Sequence, residues 1–265
     1  MQVFDLMQFA LIFLYIDIIA YLIIGIFLTI RAVQTKKYNV VYYSLEIFFL
    51  TLFFIVVGAF SKQTQAVDAI LIIGYLLSML TSFSGLIFIK KTFYEEKESP
   101  FKIYMLIGFI GTSIIISLFI LLLFSVITFE IFEAVGDITF AGFYIVMLIW
   151  LSIISFDEYK RVKNFNIEPF VKKRYYILGL TSIAAIIGLG SMIVATFLNL
   201  ANLTLFYVIA FTMTSIISLV RTGCNYLIWI MPTPFKRFLN KGFTHSDGSK
   251  EMSEEEIMRQ MKEEK

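Results

Sequence analysis

The stretch KRVKNFNIEPFVKKRYYILGLTSIAAIIGLGSMIVATFLNL, residues 160–200, contains both patterns that determine the fold. Its first fifteen residues carry six Lys or Arg side chains, and the apolar run that follows has no charged residue. A bilayer core about 30 Å thick requires about 20 apolar residues in a spanning helix. The stretch therefore predicts a transmembrane helix that is preceded by a basic connection.

The same alternation of apolar runs and short polar connections extends over the chain. Of the 265 residues, 59% are hydrophobic, whereas soluble domains have roughly 45–50% apolar residues. We predict an all-α integral membrane protein with seven transmembrane helices at about residues 8–31, 39–60, 67–89, 102–128, 138–156, 174–199 and 204–230. These form a transmembrane domain of residues 1–231, followed by a juxtamembrane amphipathic helix (232–243) and a flexible, charged tail (244–265).

The basic residues are distributed unevenly along this topology. All of the 22 Lys and Arg residues except Lys62 and Arg221 fall in the first, third and fifth connections or after the seventh helix. Cytoplasmic loops of membrane proteins carry the excess of Lys and Arg. We therefore expect the N-terminus outside and the C-terminus inside, in a multi-pass protein of the plasma membrane.

Helix six is rich in small residues, among them Gly179, Ala185, Gly188 and Ala195. Small residues let membrane helices approach one another closely. This pattern indicates close packing within the bundle, with contact between copies in a homo-oligomer as the alternative. The four prolines lie outside the predicted spans, which argues against transporters built from broken helices.

Three charged residues lie deep inside predicted spans, away from the span ends, where a charge costs at least about 2.5–3.5 kcal/mol. At 1.5 Å per residue, Asp17 and Arg221 are roughly 13 Å deep and Glu46 is roughly 10 Å deep. We predict that Glu46 and Arg221 form an ion pair, either as a structural contact or as a switch. For Asp17, three interpretations remain open: a protonated carboxyl, a polar cavity shared with Tyr15 or Tyr21, or a network with Arg221.

Further polar residues lie near the predicted inner end of the bundle. Asn225 follows Arg221 by one helical turn, and Tyr43 and Ser44 occupy the corresponding part of helix two. Together these residues predict a polar network close to the inner face.

The segment after helix seven has the pattern of a short amphipathic helix. Phe235 and Phe238 share one face, and Lys236, Arg237 and Lys241 take the other. Such helices lie in the membrane interface with their basic side chains toward anionic headgroups. We therefore predict that these five residues contact the membrane surface.

Known catalytic patterns are missing from the sequence. The single histidine, His245, lies in the tail, whereas metal-dependent hydrolases require several His and Asp ligands. No Gly-rich phosphate loop and no Gly-x-Ser-x-Gly elbow occurs. We therefore expect no catalytic residues, no metal and no cofactor.

Seven unbroken helices with this orientation resemble, in topology, seven-helix receptors and the sensor modules of membrane signalling proteins. The resemblance implies a non-enzymatic, receptor-like protein that signals through its cytoplasmic loops and tail to a protein partner. Two alternatives remain: a small transporter or ion-conducting protein that uses Asp17 and Glu46, and an accessory subunit of a membrane complex. The expected partners are the lipid bilayer, a cytoplasmic protein and a second copy, and no nucleic acid.

Overall fold

The computed structural model describes residues 3–60, 67–94, 98–163, 168–230 and 232–241. These residues are helical apart from short connections, and the helices are α1 Val3–Thr35, α2 Tyr38–Phe60, α3 Val67–Ile89, α4 Phe101–Leu123, α5 Phe129–Lys163, α6 Pro169–Leu200, α7 Thr204–Trp229 and α8 Thr233–Leu239. A short π-helical segment, Lys90–Tyr94, extends α3. Seven helices, α1 to α7, are long and apolar enough to cross a membrane, which confirms the predicted number of spans.

Two sequence predictions concern residues outside these ranges. Lys62, the lone basic residue of the predicted outer connections, and the predicted tail at 244–265 both lie outside the described residues. The inside–outside orientation and the identity of the membrane likewise stay predictions.

The connection between helices four and five is shorter than the sequence pattern predicted. Helix α4 ends at Leu123 and not at 128, because Ser125 adopts a left-handed backbone conformation with φ 54°. Helix α5 then begins at Phe129 and not at 138. The expectation that Glu133 and Asp137 lie in an outer connection is therefore wrong, since both side chains belong to α5.

Helices α1 and α6 end in the same way as α4. Lys36 and Asn202 have φ angles of 55° and 57°. The backbone N–H of the residue after each one donates to a carbonyl oxygen near the end of the helix. This arrangement is the Schellman motif, which satisfies carbonyls that would otherwise lack partners at the helix end. At the other end, Pro169 starts α6, a position where the missing N–H of proline costs nothing.

Six helices form a closed ring in the order α1, α2, α3, α5, α6 and α7, and α7 packs against α1 to complete it. Helix α4 lies outside this ring against α3 and α5, and its buried residues are Gly108, Gly111 and Ile115. The closed ring brings α2, α5 and α7 around a common interior. The site described below is located there.

The small residues of α6 mostly pack against neighbouring helices of this ring. A Cβ atom added to Gly179 would lie 2.9 Å from the Phe156 ring of α5, and one added to Gly188 would lie 3.1 Å from Ile217 of α7. Ala185 and Ala195 are also buried. These contacts are the close packing within the bundle that the sequence indicated. The predicted homo-oligomer contact through this helix stays a prediction.

Candidate functional site

The centre of the bundle contains an ion pair that is bridged by a tyrosine. Glu46 of α2 and Arg221 of α7 are 2% and 9% exposed, and Arg221 Nη2 lies 3.5 Å from Glu46 Oε1. The Tyr144 hydroxyl of α5 donates to Glu46 Oε1 at 2.6 Å and accepts from Arg221 Nη2 at 2.6 Å. We call these three side chains the central bridge, because they connect three helices that are not consecutive in the chain.

The tyrosine contributes more than a hydroxyl group. The Arg221 guanidinium lies 5.3 Å from the centre of the Tyr144 ring, within the range of an attractive cation–π contact. Burying two charges in a bilayer is costly unless they are paired and hydrogen-bonded. Tyr144 supplies a hydrogen bond to each of the two charged side chains. Its ring adds an electrostatic attraction to Arg221 that offsets part of the cost of burial. This role could not be predicted from the sequence, since Tyr144 is one of 14 tyrosines and lies in an apolar helix.

Space for the carboxylate of Glu46 depends on a glycine of α3. A Cβ atom added to Gly85 would lie 3.0 Å from Glu46 Oε2 and 2.2 Å from the sulfur of Met147. Oε2 itself has no hydrogen-bond partner among the described residues. An unsatisfied buried polar atom costs about 1–3 kcal/mol, so the central bridge leaves one oxygen of Glu46 in an unfavourable environment.

Asp17 of α1 lies next to the central bridge and contacts α7 on both sides of Arg221. It is 1% exposed, and its two carboxyl oxygens meet the hydroxyl groups of Ser218 and Thr222. Of the predicted cavity partners, Tyr15 is 57% exposed and so does not line an interior site with Asp17. Tyr21 is buried, and its hydroxyl lies close to the side chain of Thr222, which contacts Asp17.

The predicted inner polar residues form a separate layer between α1, α2 and α7. The Tyr43 hydroxyl donates to Asn225 Oδ1 at 3.0 Å. The hydroxyl groups of Ser44 and Thr29 lie 2.6 Å apart, and both reach the carbonyl oxygen of Gly25 at 2.9 Å. These bonds connect the helices near their basic ends but do not continue to Glu46.

A third polar group, which the sequence reasoning missed, surrounds Asp137 of α5. The Tyr75 hydroxyl of α3 lies 2.9 Å from Asp137 Oδ1 and 3.0 Å from the carbonyl of Glu133. Thr196 of α6 contacts Oδ2 at 3.1 Å. Asp137 precedes Tyr144 by seven residues, which places the two roughly 10 Å apart along α5. The signal that was missed is the absence of proline from residues 129–163, which allows one continuous helix to start before Asp137.

Aromatic rings lie between the central bridge and Asp137. Phe140 stacks on Tyr144 at 5.5 Å between ring centres, and Phe53 meets Phe140 at 5.2 Å on the side toward Asp137. On the other side, Tyr43 packs against Trp229 at 5.0 Å and against Phe88 at 4.9 Å, but its own hydroxyl belongs to the inner polar layer. Arg221 and Asn225 are buried one turn apart on α7, so polar side chains continue from the central bridge to the inner layer.

The residues predicted to contact the membrane surface lie on and after α8. Lys236 makes a 3.4 Å ion pair with Glu168 and lies 4.2 Å from the centre of the Phe170 ring. The rings of Phe235 and Phe238 stack at 6.4 Å, and Arg237 and Lys241 are exposed. For all five residues, the expected contact with the membrane surface stays a prediction.

Metal-binding clusters are not found in the part of the chain that the structure describes: no group of three or more His, Cys, Asp or Glu side chains is placed to hold an ion. No protein-family model, no curated protein and no solved structure matches the chain.

Proposed function

We propose that this chain is a non-enzymatic, receptor-like or sensor protein of the plasma membrane, with α7 as its moving element and a cytoplasmic protein as its partner. The observation that carries the proposal is the central bridge of Glu46, Tyr144 and Arg221. Its three members come from α2, α5 and α7, so the bridge fixes the position of α7 relative to two other helices.

A buried polar bridge favours two discrete arrangements of the helices over continuous motion. Inside a low-dielectric bundle, charged groups are either paired or moved to a new partner, because an unpaired buried charge is costly. A ligand that binds better to the arrangement without the bridge would shift the population toward it. The seven-helix topology with an amphipathic segment after α7 supports the same interpretation.

Movement of α7 would reach the predicted inner surface through its C-terminal carbonyls. Arg31 of α1 donates to the carbonyl of Trp229 at 2.6 Å, and Arg174 of α6 donates to that of Ile228 at 2.9 Å. Basic side chains are favourable at a helix C-terminus, where carbonyls lack helical partners. A shift of α7 would change both contacts and displace α8, which follows directly. These basic groups and the tail are the surface that we propose for the cytoplasmic partner.

The only cysteine of the chain, Cys224, offers a direct test because it lies on α7 three residues after Arg221 and is partly buried. We expect Glu46→Gln and Tyr144→Phe to speed its reaction with a membrane-permeant maleimide by up to about tenfold. Removing a hydrogen bond worth about 1.4 kcal/mol raises the population of an open arrangement by that factor.

The matched control is Thr51→Val, since Thr51 is buried on α2 and its hydroxyl bonds only the carbonyl of Ile47. This variant should leave the reaction of Cys224 unchanged. Equal labelling rates in the wild type, Glu46→Gln and Tyr144→Phe would contradict the proposed switch.

A second candidate is a small transporter or ion-conducting protein that uses Asp17 and Glu46. The observation that favours it is the unpartnered Oε2 atom of Glu46, which could receive a passing ion. The aromatic rings between the central bridge and Asp137 argue against a permanent path. Flux of H⁺, Na⁺ or K⁺ in proteoliposomes that is lost in both Asp17→Asn and Glu46→Gln would favour the transporter over the sensor.

A further inference from the structure

The interior around Arg221 contains more negative than positive groups. Asp17 and Glu46 are both almost fully buried and both lie near Arg221. If both carboxyl groups were ionised, one guanidinium would have to balance two carboxylates in a medium where a surplus charge is costly. The direct contacts of Arg221 are with Tyr144 and Glu46, which leaves Asp17 as the group without a charged contact.

The hydrogen atoms around Asp17 give a second, independent count. Three short oxygen–oxygen contacts occur there: Ser218 Oγ with Asp17 Oδ2, Thr222 Oγ1 with Asp17 Oδ1, and Thr222 Oγ1 with the carbonyl of Ser218 at 3.1 Å. Each hydroxyl has one hydrogen to donate. Two hydroxyl groups can therefore supply only two of the three hydrogen bonds when Asp17 is ionised.

One additional proton satisfies both counts. With a proton on Oδ1, Asp17 donates to Thr222 Oγ1, Thr222 donates to the carbonyl of Ser218, and the Ser218 hydroxyl donates to Oδ2. All three contacts become hydrogen bonds, and the remaining charges, Glu46 and Arg221, balance each other.

We propose that Asp17 is a proton-binding site that is occupied in the described arrangement, with Ser218 and Thr222 as its positioning residues. The proton exchanges with water. Its loss converts Asp17 into a carboxylate that competes with Glu46 for Arg221 and so weakens the central bridge. The site does not depend on the proposed sensor role, because the proton is bound whether or not α7 signals.

Other titratable groups surround the site and set its context. They are Tyr21 on α1, Tyr43 and Glu46 on α2, and Arg221 on α7, with Tyr144 of α5 between the last two.

The test uses Asp17→Asn, because an asparagine amide donates where the protonated carboxyl donates and accepts where it accepts. We expect this variant to fold as the wild type does. The unfolding equilibrium of purified wild type in detergent should be compared with that of the variant between about pH 5 and pH 8. When the folded state holds a proton that the unfolded state has lost, the wild type loses stability relative to Asp17→Asn as pH rises. Its folding equilibrium constant, relative to that of the variant, should fall by up to about tenfold per pH unit.

A constant difference across this range, or a wild type that gains stability with pH relative to Asp17→Asn, would overturn the proposal. Infrared spectra of protein with ¹³C-labelled aspartate provide a second readout that does not depend on unfolding. A carbonyl band of a protonated carboxyl that is present in the wild type and missing in Asp17→Asn is expected, and its absence from the wild type at neutral pH would contradict the site. The proposal would also be overturned if Na⁺ stabilised the wild type more than choline does at equal ionic strength and this difference were lost in Asp17→Asn. A metal ion would then replace the proton at the site.

Discussion

Replacing Arg221 with alanine is expected to lower the free energy of unfolding by about 3–5 kcal/mol, the cost of removing one member of a buried ion pair. The loss is large because Glu46 would remain buried with its charge and Tyr144 would lose its donor. The cation–π contact with the Tyr144 ring disappears as well. The free energy can be measured by titration with sodium dodecyl sulfate in mixed micelles.

The matched control is Arg237→Ala, which removes an exposed guanidinium on α8. Its effect should stay within about 0.5 kcal/mol, as for most surface substitutions. Exchanging the charges, Glu46→Arg together with Arg221→Glu, should recover part of the loss seen in either single change. The Tyr144 hydroxyl can donate to one side and accept from the other in both orientations. No recovery in the exchanged protein would argue that the two side chains are not energetically coupled.

Substituting Gly136 with alanine is expected to destabilise the protein by about 2–4 kcal/mol, from overpacking and from the loss of partly buried hydrogen bonds. A Cβ atom at this position would lie 2.7 Å from Cζ of Tyr75. The ring cannot retreat without cost, because its hydroxyl bonds the carbonyl of Glu133 and meets Asp137 and Phe132 packs edge-on against it at 5.6 Å.

Gly142 provides the control on the same helix, since a Cβ atom added there would meet no atom within 4 Å. Gly142→Ala should be neutral or stabilise α5 by up to about 1 kcal/mol, because alanine restricts the unfolded chain more than glycine does. If the two substitutions had equal effects on the unfolding free energy, the tight packing of Tyr75 against α5 would be refuted.

The fold could be predicted from the sequence to the extent that it follows from apolar length and charge. Runs of about 20 apolar residues can satisfy their backbone in lipid only as helices, so seven runs gave seven helices. The position of α7 beside α1 follows from closing the ring. The helix ends were less predictable, because Ser125 and Lys36 adopt left-handed conformations that glycine, not serine or lysine, usually signals.

The candidate site was only partly predictable. Opposite charges at similar depth pointed to Glu46 and Arg221 as neighbours, and the structure brings them together. Nothing in the sequence distinguished Tyr144 from the other tyrosines. The partners of Asp17 were equally hidden, since a Ser or Thr hydroxyl in a helix commonly bonds a carbonyl of its own preceding turn, as the Ser215 and Thr212 hydroxyl groups do.

Asp137 was misassigned for a different reason. Hydropathy alone places the limit of a span at the nearest charged residue. The acidic residues Glu130, Glu133 and Asp137 therefore made the fifth span appear to start only at residue 138. The structure instead places the partly buried Asp137 between α3, α5 and α6, where Tyr75 and Thr196 provide polar contacts. Only the packing of three helices determines which of these acids lies inside the bundle.

We propose that the bridge of Glu46, Tyr144 and Arg221 holds α7 in one of two positions. Electron–electron double resonance can test it with nitroxide labels at Lys163→Cys on α5 and Tyr226→Cys on α7, in a Cys224→Ser background. We expect one distance distribution in this reference protein and a second, longer population when Glu46→Gln is added, with Thr51→Val leaving the reference distribution unchanged. Superimposable distributions with and without Glu46→Gln would contradict the claim.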